Sequence, residues 1–244
     1  EAVHAYPELY FARFVVLAEG ASEEIVLPRL AEAMNLPIDK SFVAVVPIGG
    51  RHINHFWKLL HDLDIPHATL LDLDFGRYGG GWGRIKSVCK TLIQNGTPRD
   101  KILKMSNPDI NSSLNEFDNF KDDFKELSSW ATHMQQFNVF FSSPLDLDYS
   151  MLKAFPTYYK INEPDKNGPG HANPMSSVLG ERGTPELYPD DIENFRWYRY
   201  LFLNRSKPSS HLAALSDINE DILRMNMPEE LKALLKTIAK SISE

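Results

Sequence analysis

Continuous apolar runs alternate with segments of helical period over the first 75 residues. The runs are Phe14-Val15-Val16-Leu17-Ala18, Val43-Ala44-Val45-Val46-Pro47-Ile48 and a third from about His67 to Leu73. Strands buried on both faces of a parallel sheet carry such runs. Between the first two, Ile25, Leu27, Leu30 and Met34 mark the buried stripe of a helix from about Glu23 to Met34. Pro28 falls early in that helix, where it is tolerated with at most a kink. Asn35 to Ser41 reads as a loop. Between the second and third runs, Ile53, Phe56, Trp57 and Leu60 mark another helix. This βαβαβ order predicts an α/β fold with a parallel sheet and right-handed crossovers.

The pattern changes after Asp74. Phe75 to Gly83 holds five glycines, which suits a mobile loop beside a site. A helix from Gly83 to Gln94 follows, with Lys86 and Lys90 on its polar side. Residues 98–136 are polar, with acidic pairs such as Asp122-Asp123, and read as a helical insertion with a solvated face. Asn138 to Ser143 is a fourth strand. Residues 156–190, rich in Pro, Gly and Asn, read as a long loop, and helices are expected at Pro189–Leu203, Pro208–Ser216 and Pro228–Ser243. The expected organisation is a catalytic domain over 1–155, with the insertion near 98–136, then a loop and C-terminal helical subdomain over 156–244. Residues 1–11 form a lead-in packed beside the first strand.

Acids stand where three strands end. Glu19 follows the first, Gly20 permits a turn, Ser22 is placed to cap the next helix, and Glu23 lies on its first turn. Asp72 and Asp74 end the third strand as Asp-x-Asp, a spacing that puts both on one strand face. Asp146 and Asp148 follow the fourth strand and precede a helix through Leu152. Open α/β folds bind ligands in the crevice beyond the carboxyl ends of their strands. The acids therefore suggest a metal site there. The structural alternative is that Glu23 complements a helix dipole and that Asp146 or Asp148 caps a helix.

Composition narrows the class. At 43% hydrophobic and 11% aromatic residues, the chain has the material for a packed core. No apolar run approaches the roughly 20 residues that span a bilayer. The start, Glu1-Ala2-Val3-His4, shows neither a signal peptide nor an initiator methionine, so the chain is expected to be the C-terminal part of a longer protein. A single cysteine, Cys89, excludes internal disulfides and cysteine-rich zinc sites and fits a reducing cytoplasm. Its helical spacing from Ile85 and Ile93 makes it a core residue. His52, His55, His61 and His67 lack a metal-binding spacing. No P-loop is present. A net charge of −7 argues mildly against tight nucleic-acid binding, except where acids hold divalent cations that invert the local field.

The stretch Glu19-Gly20-Ala21-Ser22-Glu23 after a strand, then Gly49-Gly50 and a later Asp72-Leu73-Asp74, resembles a Toprim domain. With Pro7-Glu8-Leu9-Tyr10-Phe11-Ala12 ahead of it, the chain resembles the OLD-family nucleases (overcoming lysogenization defect), and the related Gabija and retron-associated defence nucleases. The resemblance covers roughly residues 7–75 and thins afterwards. It implies a Toprim (Rossmann-like) parallel sheet flanked by helices, and a metal-dependent DNA endonuclease in anti-phage defence. The implied cofactors are two Mg²⁺ or Mn²⁺ ions about 4 Å apart, one held by Glu19, Glu23 and Asp72, the other by Asp72, Asp74 and Asp146. All are hard oxygen ligands. In OLD-type nucleases a Leu-Glu-x-Asp-Leu stretch follows the last strand; Asp146 stands for its glutamate and Asp148 for its aspartate, one of which would bind metal. Arg205-Ser206-Lys207-Pro208 resembles the place of a catalytic lysine that stabilises charge on phosphate.

The same resemblance implies an ATPase module ahead of this region, through which alone ATP would act. The implied partners are DNA, that module, and a second copy or a defence-system protein, with no membrane. Arg51, Arg77, Lys86, Lys90 and Arg205 are candidates for contacts to the DNA backbone, with Arg84, Arg196 and Arg199 beside them. Toprim topoisomerases use a tyrosine nucleophile, and nothing singles out one of the nine tyrosines here. The chain departs from the family pattern at Ala18, commonly valine, and at Asp146. Two other functions remain open. A metal-dependent phosphatase or nucleotidyl hydrolase would use Asp72 and Asp74 and leave Glu19 and Glu23 dispensable. A catalytically silent module would bind nucleic acid or a partner through its helical region.

Overall fold

The structure, a computed structural model, describes residues 6–49, 53–105, 114–160, 170 and 172–243. Four strands, β1 (Phe14–Ala18), β2 (Val43–Pro47), β3 (His67–Asp72) and β4 (Val139–Ser142), form one parallel sheet in the order β2-β1-β3-β4. Phe14 lies opposite Val43 and Ala18 opposite Pro47; Leu17 pairs with Thr69, and Asp72 with Ser142. All five β1 residues are buried, as its unbroken apolar run requires of a central strand.

The strand order reverses between β1 and β3. From β1 the chain crosses to β2 through α1 (Ala21–Ala33), then returns through α2 (Ile53–Asp62) to β3 on the other side of β1. Right-handed crossovers in opposite directions put α1 and α2 on opposite faces and open a crevice between the ends of β1 and β3. Trp57 of α2 anchors its helix to the sheet, donating its indole N–H to Thr69 at 2.8 Å inside the core.

The crossover from β3 to β4 carries α3 (Trp82–Gln94), a short helix Arg99–Ile102 and α4 (Phe124–Met134). The expected insertion is therefore helical, and its aromatic side chains join the core through α3. Trp82 packs edge-on to Phe120 with ring centres 4.8 Å apart, and Phe117 meets Trp130 at 5.0 Å. Cys89 is buried there, and burial pushes its thiol up to about 12. After β4 come α5 (Leu147–Ala154), α6 (Ile192–Tyr198) running into a π-helical turn Arg199–Asn204, α7 (Lys207–Asp217), α8 (Glu220–Asn226) and α9 (Glu229–Ser243). α7 and α8 pack on α1, and α9 on the sheet.

Four local expectations change. α1 starts at Ala21, with Gly20 as its N-cap, so Ser22 lies inside the first turn and does not cap. The stretch expected as a long loop holds helices Pro156–Tyr159 and Pro174–Leu179, each opened by a proline at its first position. α8 was not expected; Asn219 caps it by accepting from Ile222 N–H at 2.9 Å. The glycine-rich segment is a bonded turn rather than an open loop: Gly81 N–H donates to Leu73 O at 2.7 Å and Gly80 N–H to Arg77 O at 2.9 Å.

Candidate active site

At the crevice, the carboxyl ends of β1 and β3 meet the amino ends of α1, α5 and α7. A cavity of 340 Å³ opens there, lined by Glu19, Glu23, Asp72, Asp146, Asp148 and Lys207 with the backbone turns that carry them. A larger cavity of 630 Å³ lies along the outer side of α1 around Arg29 and Leu36 and contains none of these acids.

Glu19 and Asp72 are tied together across the reversal point, because Asp72 N–H donates to Glu19 Oε1 at 3.1 Å. The same Glu19 oxygen lies 3.2 Å from Arg84 Nη1. Glu23 turns back so that its Oε2 accepts from Gly20 N–H at 3.0 Å, closing the first turn of α1. Asp72 Oδ1 accepts from Leu147 N–H at 3.3 Å, joining β3 to α5.

Asp74 does not share a strand face with Asp72. β3 ends at Asp72, and Asp74 has φ 54°, so the alternation behind that expectation stops short of it. Its Oδ1 receives Arg77 Nη1 at 2.6 Å, and its Oδ2 receives Arg84 Nε at 2.9 Å and Nη2 as well.

Asp146 is the N-cap of α5, accepting from Tyr149 N–H at 2.9 Å through Oδ1. Its Oδ2 accepts from the Tyr198 hydroxyl at 2.7 Å and stands 3.0 Å from Arg77 Nη2. Asp148 is the hub of a buried network. Its Oδ1 accepts from the Ser22 hydroxyl at 2.7 Å and lies 2.8 Å from His211 Nε2; its Oδ2 lies 2.6 Å from Lys207 Nζ. His211 is fully buried, and its Nδ1 stands 2.7 Å from the Tyr159 hydroxyl.

Six carboxylates are thus gathered around three cations, Arg77, Arg84 and Lys207. The imbalance appears in their proton affinities. Burial, with Asp148 and Glu19 adding repulsion, pushes Glu23 up to about 8. Burial and then Asp146, Glu19 and Glu23 raise Asp72 well above the usual carboxylate range. Glu19 is raised by burial against the pull of Arg84, and Asp146 by burial and Asp148 against Arg77 and Lys207. Asp148 goes the other way. Burial opposes its charge, but the His211 hydrogen bond and the Lys207 ammonium hold it down at about 2. Asp148 and Asp146 in turn raise Lys207 against the effect of burial.

A divalent cation fits this excess of negative charge and its all-oxygen donor set. With the side chains placed as they are, no three His, Cys, Asp or Glu among the described residues stand close enough to hold an ion. Backbone amides and arginines take that role here, each holding oxygens that an ion would otherwise draw together.

The candidates for DNA contact are dispersed. Arg77 and Arg84 are turned into the carboxylates rather than toward solvent. Lys86 pairs with Asp118 at 2.6 Å, Lys90 is exposed on α3, and Arg205 lies over the Tyr200 ring at 5.3 Å. Arg196 is half-buried, with its Nε unpartnered. Arg51 and His52 lie outside the described residues. His211, Tyr159 and Tyr198 were missed by the sequence reading. The spacing Lys207-x-x-x-His211 offered a signal, since residues four apart share a helix face.

Residues 10–74 match the overcoming lysogenization defect protein-like TOPRIM domain. The C-terminal region of the OLD protein of Xanthomonas campestris pv. campestris has the same fold, at 19% identity and a TM-score of 0.55, covering 97% of this chain and 96% of that one. The C-terminal region of the Burkholderia pseudomallei OLD protein matches at 16% identity and a TM-score of 0.55, covering 95% and 99%. No curated protein matches the sequence. No helix among the described residues is long and apolar enough to cross a membrane.

Proposed function

From a chain that carries an OLD-like Toprim domain in the fold of OLD C-terminal regions, we propose a divalent-metal-dependent DNA endonuclease working beside an ATPase module, in defence against phage. The observation that carries this reading is the 340 Å³ pocket at the reversal point of the sheet, lined by Glu19, Glu23, Asp72, Asp146, Asp148 and Lys207. Glu19, Glu23 and Asp72 would hold Mg²⁺ or Mn²⁺ through their carboxylates. Such an ion supplies a nucleophilic water at neutral pH and polarises a phosphoryl oxygen.

The chain's own residues do the rest. Lys207 is the positive group of the pocket, and its ion pair with Asp148 keeps it protonated and aimed. Its ammonium would stabilise the negative charge that grows on a scissile phosphate, the part of the reaction that preorganised charge accelerates most. Asp148, held anionic by His211 and Ser22, serves as the anchor of that lysine rather than as an ion ligand. Glu23, raised by burial, would have to be ionised to serve as a ligand.

Nicking of supercoiled plasmid tests the reading. Nicking with Mg²⁺ or Mn²⁺, lost in chelator and in Glu19→Gln and Asp72→Asn, is the expected outcome. Lys207→Ala should slow nicking by about 10²–10³-fold, as loss of one charge-stabilising donor does elsewhere. Nicking that survives both carboxylate variants sinks the metal-site assignment.

A further inference from the structure

The metal-dependent reading leaves open how many ions the crevice holds, and the inference drawn here rests on that reading. A second ion would need Asp74 and Asp146 beside Asp72. Both acids are already committed. Asp74 Oδ1 is taken by Arg77 Nη1 at 2.6 Å, and Oδ2 by two nitrogens of Arg84, Nε at 2.9 Å among them. Asp146 gives Oδ1 to Tyr149 N–H at 2.9 Å and Oδ2 to the Tyr198 hydroxyl at 2.7 Å, with Arg77 Nη2 at 3.0 Å.

The two guanidinium groups are used up as fully as the acids they hold. Arg77 Nε donates to Val178 O at 3.2 Å, and Arg84 Nη1 reaches Glu19 at 3.2 Å. A guanidinium bridging two carboxylates occupies the position and supplies the charge of a shared cation. Mg²⁺ demands near-octahedral oxygens at about 2.0–2.1 Å, and two fixed positive groups at this spot repel it. Asp74, Arg77 and Arg84 are also absent from the lining of the 340 Å³ pocket.

The turn builds this arrangement into the backbone. Arg77 N–H donates to Asp74 O at 2.9 Å, Gly80 N–H to Arg77 O at 2.9 Å and Gly81 N–H to Leu73 O at 2.7 Å. A side chain at Gly80 would run into the Asp74 carbonyl, so only glycine closes the turn there. α3 starts directly after it and presents Arg84 in its first turn.

We infer that Arg77 and Arg84 take the place of a second divalent ion, so that the crevice binds one ion only, on the Glu19–Glu23–Asp72 side. The positive charge on the Asp74 side is then a permanent part of the chain. Titration of the wild-type chain with Mn²⁺, followed by electron paramagnetic resonance of free and bound ion, reads the count directly and needs no activity. One bound ion per chain with the spectrum of an isolated Mn²⁺ is the expected result. Arg77→Met/Arg84→Met should bind a second ion with a spin-coupled spectrum. Two coupled ions in the wild type overturn the inference and leave the metal-dependent reading standing. No bound ion overturns that reading, and this inference with it. A folded double variant that still binds one ion shows that the arginines are not what excludes the second.

Discussion

His211→Phe is the sharpest test of the buried network behind Lys207. The ring of His211 stacks on Phe202 with centres 5.1 Å apart and planes 29° apart, so phenylalanine keeps that packing. Two polar contacts are lost. Nε2 of His211 stands 2.8 Å from the Asp148 carboxylate and Nδ1 stands 2.7 Å from the Tyr159 hydroxyl. A hydrogen bond to a charged group contributes about 1.5–3 kcal/mol, and a buried hydroxyl left unpartnered costs about 1–3 kcal/mol. Asp148 keeps Ser22 and Lys207, so its charge is not orphaned, and the sum falls nearer about 3 than about 6 kcal/mol.

Against a total stability of about 5–15 kcal/mol that loss is large. In a chain of this size it lowers the melting temperature by roughly 6–12 °C. Urea unfolding should show a shifted midpoint with an unchanged slope. His211→Gln, which can still donate to Asp148, should recover most of the loss. Tyr159→Phe combined with His211→Phe should cost less than the two separate losses added together, because the two side chains share one bond. The Asp148 contribution has a fixed pH sign: with its carboxyl held at about 2, stability is present above the ordinary range near 3.9 and is lost as pH falls toward 2. A phenylalanine variant within about 0.5 kcal/mol of wild type would refute the network's role.

Glu23, pushed up to about 8, favours the protonated native state, so in metal-free protein its contribution is full below about pH 4.3 and is lost as pH rises through about 8; Asp72 and Glu19, both raised, act in the same direction. Mg²⁺ binds the ionised forms. The rise in melting temperature from chelator to Mg²⁺ should therefore be larger at about pH 8 than at about pH 5.5, and an equal or reversed difference would count against the site. Gly80→Ala and Gly83→Ala should have opposite signs in denaturant unfolding. A Cβ at Gly80 meets the Asp74 backbone, costing about 1–3 kcal/mol, whereas Gly83 has open space inside α3 and alanine there gains about 0.5–1 kcal/mol. Equal stabilities would remove the steric reason for a glycine at the turn.

The apolar runs of β1 and β4 were legible because a strand buried on both faces leaves no room for polar alternation, and those of β2 and β3 because they stay apolar although partly exposed. The acids at their ends were legible for the same reason, since a polar residue directly after such a run stands out. Their separate uses were not. Asp72 and Asp74 are two apart in the sequence, but φ 54° at Asp74 swings it out of the strand, and no periodicity argument carries a left-handed residue. Asp146 and Asp148 have the same spacing; one caps a helix and the other anchors a lysine, a division decided by Tyr198 and His211 from far along the chain. Arg77 and Arg84 read as candidates for contact with a DNA backbone because only the closed turn brings them to Asp74. The aromatic core of the insertion is drawn from positions 82 to 130, too scattered to form a stripe.

The location of the crevice follows from topology alone, and its chemistry then follows from charge. A sheet ordered β2-β1-β3-β4 must separate the loops after β1 and β3, because the crossovers on either side of β1 leave toward opposite faces. The residues directly at that gap are Glu19 and Asp72, and the bond from Asp72 N–H to Glu19 holds them there. Burying more acids around the gap than Arg77, Arg84 and Lys207 can neutralise raises most of their proton affinities, which stores a demand for positive charge. On the Asp74 side two arginines meet that demand permanently, and on the Lys207 side Asp148 is already satisfied. What is left unmet lies between Glu19, Glu23 and Asp72, and that is where the electrostatics of this fold call for a cation from solution.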